Sequence, residues 1–175
     1  MTTSISVSLV DRTTTMITEM RDTGPPVTAE DLDSLETALG GELPEAYREF
    51  LREYNGGKPR EATFEFADPL DGRSGASVND FLGIRDDIRD IEECYDTVEH
   101  WIPEGLCPIA EGPGGDFVLL SIREDSQGEV FYIDHELPGE RTFDGNAGEY
   151  PENITRVAES FDDFLALLYD IDAPR

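Results

Sequence analysis

A change of apolar period at Leu106 constrains the fold of this chain more than any other feature. Before it, apolar residues recur three and four apart. After it, they run in short aromatic and aliphatic blocks separated by turn sequences. The blocks are 106–110, Phe117-Val118-Leu119-Leu120-Ser121-Ile122 and Val130-Phe131-Tyr132-Ile133. The separators are Glu111-Gly112-Pro113-Gly114-Gly115 and Asp125-Ser126-Gln127-Gly128, rich in the residues that close tight turns. Three strands on short turns predict an antiparallel meander. A meander has an apolar face that another layer must cover.

The covering elements flank it in the sequence. Thr28 reads as a helix N-cap, and Asp31 takes the place of the glutamate of a capping box. Leu32, Leu35 and Leu39 share one face of that helix, and Gly40-Gly41 ends it. Leu43-Pro44 starts a second helix with Pro44 at its first position, and its apolar stripe is Tyr47, Phe50, Leu51 and Tyr54. Asn55-Gly56-Gly57 stops it, since Asn and Gly tolerate the left-handed backbone of a C-cap. A third helix is expected over 85–100 from the spacing of Ile88, Ile91, Tyr95 and Val98, with Pro103 closing it. A last helix is expected over 161–169, built on Phe161, Phe164, Leu165 and Leu168, with Ser160 as N-cap.

Phe64 and Phe66 alternate with polar neighbours and predict a strand. Residues 67–80 read as a loop, 78–84 as a short strand or turn, and 134–157 as irregular. At the N-terminus, Ile5, Val7 and Leu9 alternate with serines as in a strand, and a helix over 9–20 fits the same stretch. Thr23-Gly24-Pro25-Pro26 then breaks the chain. The expectation is an α+β domain over 28–175, preceded by an N-terminal extension over 1–27. Its sheet is mostly antiparallel, of about five to six strands, with helices packed on one side. The 175 residues suit one domain of about 100–200.

Charge narrows the partners. Forty acidic residues against thirteen basic ones give a net charge of −27. The excess is spread over every segment, so it is a coat and not a tail. Such a field repels nucleic acid and anionic membranes and attracts basic proteins. Lys58 is the only lysine. A lysine-poor acidic surface also suits a salt-loving or GC-rich source, and both readings of the acidity stand. No apolar run approaches the roughly 20 residues of a membrane span. No secretory leader pattern opens the chain, so a cytoplasmic protein is expected. Cys94 and Cys107 then read as free thiols in a reducing compartment.

Catalytic signatures are missing. His100, beside Trp101 at a helix end, reads as structural. In Asp134-His135-Glu136 the histidine would face away from both acids on a strand, so the three do not converge on an ion. The stretch Glu111-Gly112-Pro113-Gly114-Gly115-Asp116 joins two strands. It lacks both the Lys-Ser/Thr of a phosphate loop and the helix that follows a dinucleotide loop. There is no nucleophile elbow and no zinc-protease motif. No enzyme, cofactor or metal is expected.

As an ordered set, several segments resemble the SUKH superfamily of bacterial immunity proteins and fungal cell-wall assembly regulators. They begin with Asp31-Leu32-Asp33-Ser34-Leu35-Glu36, Leu43-Pro44-Glu45-Ala46-Tyr47-Arg48-Glu49-Phe50-Leu51 and Tyr54-Asn55-Gly56-Gly57. Ile102-Pro103-Glu104-Gly105-Leu106, Pro108-Ile109-Ala110, Gly114-Gly115-Asp116, Val130-Phe131-Tyr132-Ile133-Asp134-His135-Glu136 and Ala158-Glu159-Ser160-Phe161-Asp162-Asp163-Phe164-Leu165 follow. The resemblance covers residues 28–170; Ile133 stands where the family often has tryptophan. It implies a helix-flanked sheet without enzymatic activity. For bacterial members it implies an immunity protein that binds and blocks a cognate toxin, often a nuclease. A nuclease holds phosphates in a basic site, so an acidic plug complements it. The expected contacts are Asp86, Asp87, Asp90, Glu92 and Glu93 on the third helix, with Asp68 and Asp71 in the preceding loop; plain solvation is the alternative reading of this helix face. Tyr95 and Trp101 are secondary candidates, as aromatic anchors. The alternatives are a stand-alone regulatory or scaffold protein of the cell-wall type, favoured by isolation in the genome, and a metal-dependent hydrolase, favoured by metal at unit stoichiometry.

Overall fold

The computed structural model describes residues 17–68, 72–134 and 153–174. The expected meander forms the middle of a five-stranded antiparallel sheet. Its strands, in spatial order, are β5 (Asp80–Phe81), β6 (Leu106–Glu111), β7 (Phe117–Ser121), β8 (Val130–Ile133) and β9 (Ile154–Ala158). A register shift between Pro108 and Ala110 marks a bulge in β6. Both faces of the sheet are buried at β6, β7 and β8, so these strands read as apolar runs and not as alternations. Val118, Leu120, Val130 and Tyr132 join one core cluster. Leu119, Phe131, Ile133 and Ile154 join a smaller one with Val98, Ile102 and Leu106.

The larger core takes in α1 (Ala29–Leu39), α2 (Glu45–Glu53) and α4 (Phe161–Leu167). Phe50 is its hub: its ring meets Phe81 at 4.9 Å and Phe161 at 5.1 Å, both edge-on. The capping box at α1 forms as expected. The Thr28 hydroxyl accepts from Asp31 N at 3.1 Å, and Asp31 Oδ2 accepts from Thr28 N at 2.9 Å. Thr28→Ala removes one of these bonds and the order that supports the other. A cost of about 1 kcal/mol is expected, read by denaturant unfolding at an unchanged m-value.

Several boundaries differ from the sequence-based expectation. Residues expected as loop contain β4 (Gly72–Ser77), which pairs with β3 (Thr63–Asp68) in the register Phe64↔Ala76 and Phe66↔Ser74. Gly-Arg-Ser-Gly-Ala-Ser has no strand pattern of its own, and its conformation comes from the partner strand. Residues expected as irregular contain β9, also held by pairing with its neighbour β8. Pro44 is the N-cap residue before α2 and not its first turn. The last helix ends at Leu167, because Tyr169 leaves it to bridge Thr63. Of the N-terminal alternatives, residues 1–16 lie outside the described residues. Residues 17–20 are not helical and lead into β1 (Met20–Arg21), which pairs with β2 (Lys58–Pro59).

The third helix is the largest correction. It is α3 (Ile91–Val98), followed by a 3-10 turn at Glu99–Trp101, and residues 85–90 are a loop. Ile91 and Val98 are buried as expected, one in each core cluster. Ile88 is 82% exposed and belongs to no stripe. The boundary is set by Asp90, whose carboxylate caps the helix at Glu93 N.

The Asn55-Gly56-Gly57 signature holds this region in place. Asn55 is 2% exposed and adopts φ 53°. Its Nδ2 donates to Pro25 O and Ile84 O, each at 2.9 Å, and its Oδ1 accepts from Ile84 N at 2.7 Å. Gly83 passes so close that a Cβ there would lie 2.4 Å from Asn55 O. One side chain therefore ties the end of α2 both to the segment before α1 and to the start of the 85–90 loop.

Candidate functional site

The loop before α3 is built from its own charges. Arg85 N donates to Asp90 Oδ1 at 2.9 Å, while Asp90 Oδ2 accepts from Glu93 N at 3.0 Å, so both oxygens of Asp90 serve the fold. Asp87 Oδ1 accepts from Arg89 N at 2.9 Å, and its Oδ2 meets Arg85 Nη2 at 3.1 Å. The Arg89 amide, followed by the Arg85 guanidinium, holds the Asp87 carboxyl below its ordinary range. Arg85 Nη1 reaches across to Asp22 O at 2.7 Å. Arg89 Nη1 pairs with Asp80 at 3.2 Å, and Asp80 also takes Lys58 at 3.1 Å. Two of the expected contact residues, Asp87 and Asp90, thus have internal partners.

The rest of the acidic face points outward. Asp86, Glu92 and Glu93 are exposed, and so are Asp96 and Glu99, which the sequence reading left out. Their spacing was the available signal: with Ile91 and Val98 inward, positions 92, 93, 96 and 99 share the opposite side of a helix. Among the described residues no cation pairs with these five carboxylates. Asp86, Asp90, Glu92, Glu93 and Asp96 surround one groove together with Arg85. For the helix the arrangement is mixed, since Glu92 and Glu93 favour its positive start. Glu92 and Asp96 are like charges at i,i+4, which costs roughly 0.2–0.5 kcal/mol. The last turn holds no basic residue to offset the negative helix end.

Tyr95 lies elsewhere. It lines a separate cavity of about 920 Å³ between the end of α1 and the β7–β8 turn, with Glu42, Glu104, Arg123 and Glu124. Burial, followed by nearby Glu99, raises its hydroxyl pKa. Asp68 closes β3, and Trp101 ends the 3-10 turn. The side chains of both, and Asp71 altogether, lie outside the described residues, as do His135 and Glu136. Asp116 accepts a hydrogen bond from the Tyr132 hydroxyl across the β7–β8 pair.

No helix among the described residues is long and apolar enough to cross a membrane. Nor does any group of three His, Cys, Asp or Glu there suit a metal ion. Cys94, half-buried, has its Sγ 3.8 Å from Glu111 Oε1. Burial, followed by the charge of Glu111, pushes its thiol pKa up to about 12. Burial does the same to Cys107. In the native protein at pH 8, a disulfide reagent should modify both cysteines at least ~10²-fold more slowly than a free thiol. Denaturant should restore the ordinary rate, and fast native labelling of Cys94 would contradict this environment.

Comparison with known proteins agrees with the arrangement of motifs. The profile of the SMI1/KNR4 family (SUKH-1) matches residues 26–167. The chain is also similar to the SPbeta prophage-derived uncharacterized protein YokK of Bacillus subtilis (strain 168). The two are 27% identical over 158 residues, which cover 82% of this chain and 75% of that protein. The family match spans α1 through α4, including the Asn55 junction and the whole meander. The chain belongs to the SMI1/KNR4 family (SUKH-1).

Proposed function

We propose that the protein is a non-enzymatic immunity protein of the cytoplasm, which binds and neutralises a cognate basic toxin through the outward acidic face of α3. The observation that carries this reading is the set of carboxylates at Asp86, Glu92, Glu93, Asp96 and Glu99, without cation partners among the described residues, on a domain of this family. Asp96 and Glu99 lie against the negative helix end, and Asp96 opposes Glu92, at a cost to the fold alone. Lysines and arginines of a phosphate-binding site would relieve that cost on contact. The prophage origin of the similar Bacillus protein suits a gene carried with a competitive toxin.

The test is calorimetric titration of the purified chain with the protein encoded beside it. A basic partner should bind tightly in low salt and weaken steeply towards 0.5 M, because exposed charges are then screened within a few ångströms. A neighbour that is not basic, or that does not bind, would move the reading to a stand-alone regulatory scaffold of the cell-wall type.

A further inference from the structure

Ile88 sits at the tip of the 85–90 loop and is the most exposed large apolar residue among those described, at 82%. One exposed isoleucine is ordinary on a protein surface. Two features set this one apart. First, the loop that displays it is braced on every side. Asp90 N donates to Asp87 O at 3.1 Å, Gly83 N to Arg89 O at 3.0 Å, and Ile91 N to Gly83 O at 2.9 Å. The Arg85 and Arg89 side chains add the ties to Asp22 and Asp80. Asp87 and Arg89, on either side of Ile88, have partners within the fold, so Ile88 is presented to solvent on a loop backbone with little conformational freedom to lose on binding. Second, Ile88 shares a groove along α3 with Cys94, Thr97 and Phe117, lined also by the carboxylates of Glu93, Asp96 and Glu111. Glu93 and Asp96 also border the acidic groove at the start of the helix.

We infer that this groove is the specificity pocket of the interface: it takes an aliphatic side chain flanked by lysines or arginines on a basic protein. This deepens the proposed function and rests on it. Charge decides the occupant. A second copy of this chain would bring Asp86, Glu92, Glu93 and Asp96 against their own equivalents across a two-fold axis. A basic segment meets them with the opposite sign while its apolar residue packs against Ile88. Apolar anchors in a desolvated centre, ringed by charges, carry most of the energy in such contacts.

The probes are two acetylated and amidated pentapeptides of equal charge, Lys-Lys-Leu-Lys-Lys and Lys-Lys-Ser-Lys-Lys, titrated into the full chain and followed by amide and methyl NMR shifts. The leucine peptide should bind about tenfold more tightly, with the largest shifts at Ile88, Cys94 and Thr97. In Ile88→Ser the preference should vanish and the weaker charge-driven binding remain. Exposed as it is, Ile88→Ser should keep the unfolding midpoint. Equal binding of the two peptides, or a preference that survives Ile88→Ser, would overturn the inference. So would concentration-dependent dimerisation abolished by Ile88→Ser, since the occupant would then be a second copy. The parent reading fails separately. If the adjacent gene's product binds and Ile88→Ser leaves that affinity intact, only the groove is wrong. If no basic protein binds but the leucine preference persists, the toxin reading is wrong and the groove stands.

Discussion

Replacing Asn55 by alanine is expected to cost about 3–5 kcal/mol, the largest single-residue effect in this fold. The substitution leaves two carbonyls and one amide without their partner at a part-buried site: Pro25 O, Ile84 O and Ile84 N. Each unpaired buried group costs about 1–3 kcal/mol, discounted where water can reach it. Alanine also tolerates φ 53° less well than asparagine does. Against a total stability of roughly 5–15 kcal/mol, the loss is severe. In a chain of this size the melting temperature should fall by roughly 6–20 °C. Asn55→Asp is the informative companion. It keeps the acceptor for Ile84 N but loses both donors, so it should fall between wild type and alanine. Gly83→Ala should be comparably damaging, because its methyl would enter the space of Asn55 O. A shift of a degree or two for Asn55→Ala would mean that the junction is not what holds the 85–90 loop to α2.

The second large effect is on binding. Reversing Glu92, Glu93 and Asp96 together to lysine should weaken the complex with a basic toxin by about 10²–10³-fold, since like charges then face each other across the interface. Most of the early loss should appear in the association rate at low salt. The fold should barely notice. Glu92 and Glu93 favour the positive start of α3, whereas Asp96 opposes its end, so the three changes offset one another. The melting temperature should stay within a few degrees, the equivalent of about 1 kcal/mol. Binding and stability thus respond separately to the same residues, as expected for a face whose charges have no cation partner among the described residues. The matching substitutions at Asp87 and Asp90 should do the reverse and loosen the 85–90 loop.

How much of this was legible in the sequence depended on where the determining contact lay. Thr28 with Asp31, Ser160 before α4, and Asn55-Gly56-Gly57 act within a few residues of themselves, and each could be read from its neighbours. The meander was legible because its apolar runs are continuous and its turns are rich in glycine. β4 was not, because Gly-Arg-Ser-Gly-Ala-Ser becomes a strand only by pairing with Thr63–Asp68. The start of α3 was misplaced for a different reason. Ile88 falls at helical spacing with Ile91 and Tyr95 by coincidence, while the cap is one of three aspartates in residues 86–90. Nothing local says which of them turns inward. That choice rests on Arg85 reaching Asp22 and on Arg89 reaching Asp80, contacts made across the fold. The same contacts decide which carboxylates are left for a partner. The sequence therefore announced an acidic face and could not separate Asp87 and Asp90, which build the loop, from Asp86, Glu92 and Glu93, which point away from it.

The most direct measurement of the central claim is protection. The protein encoded beside this chain would be expressed in a susceptible cell, alone, with the wild-type chain, and with the chain carrying Glu92→Lys, Glu93→Lys and Asp96→Lys. The account predicts growth arrest alone, rescue by wild type, and arrest again with the triple variant at equal, folded abundance. Rescue by the triple variant equal to that by wild type would contradict the assignment of the α3 face. No toxicity to neutralise, or no rescue by the wild-type chain, would contradict the immunity function itself.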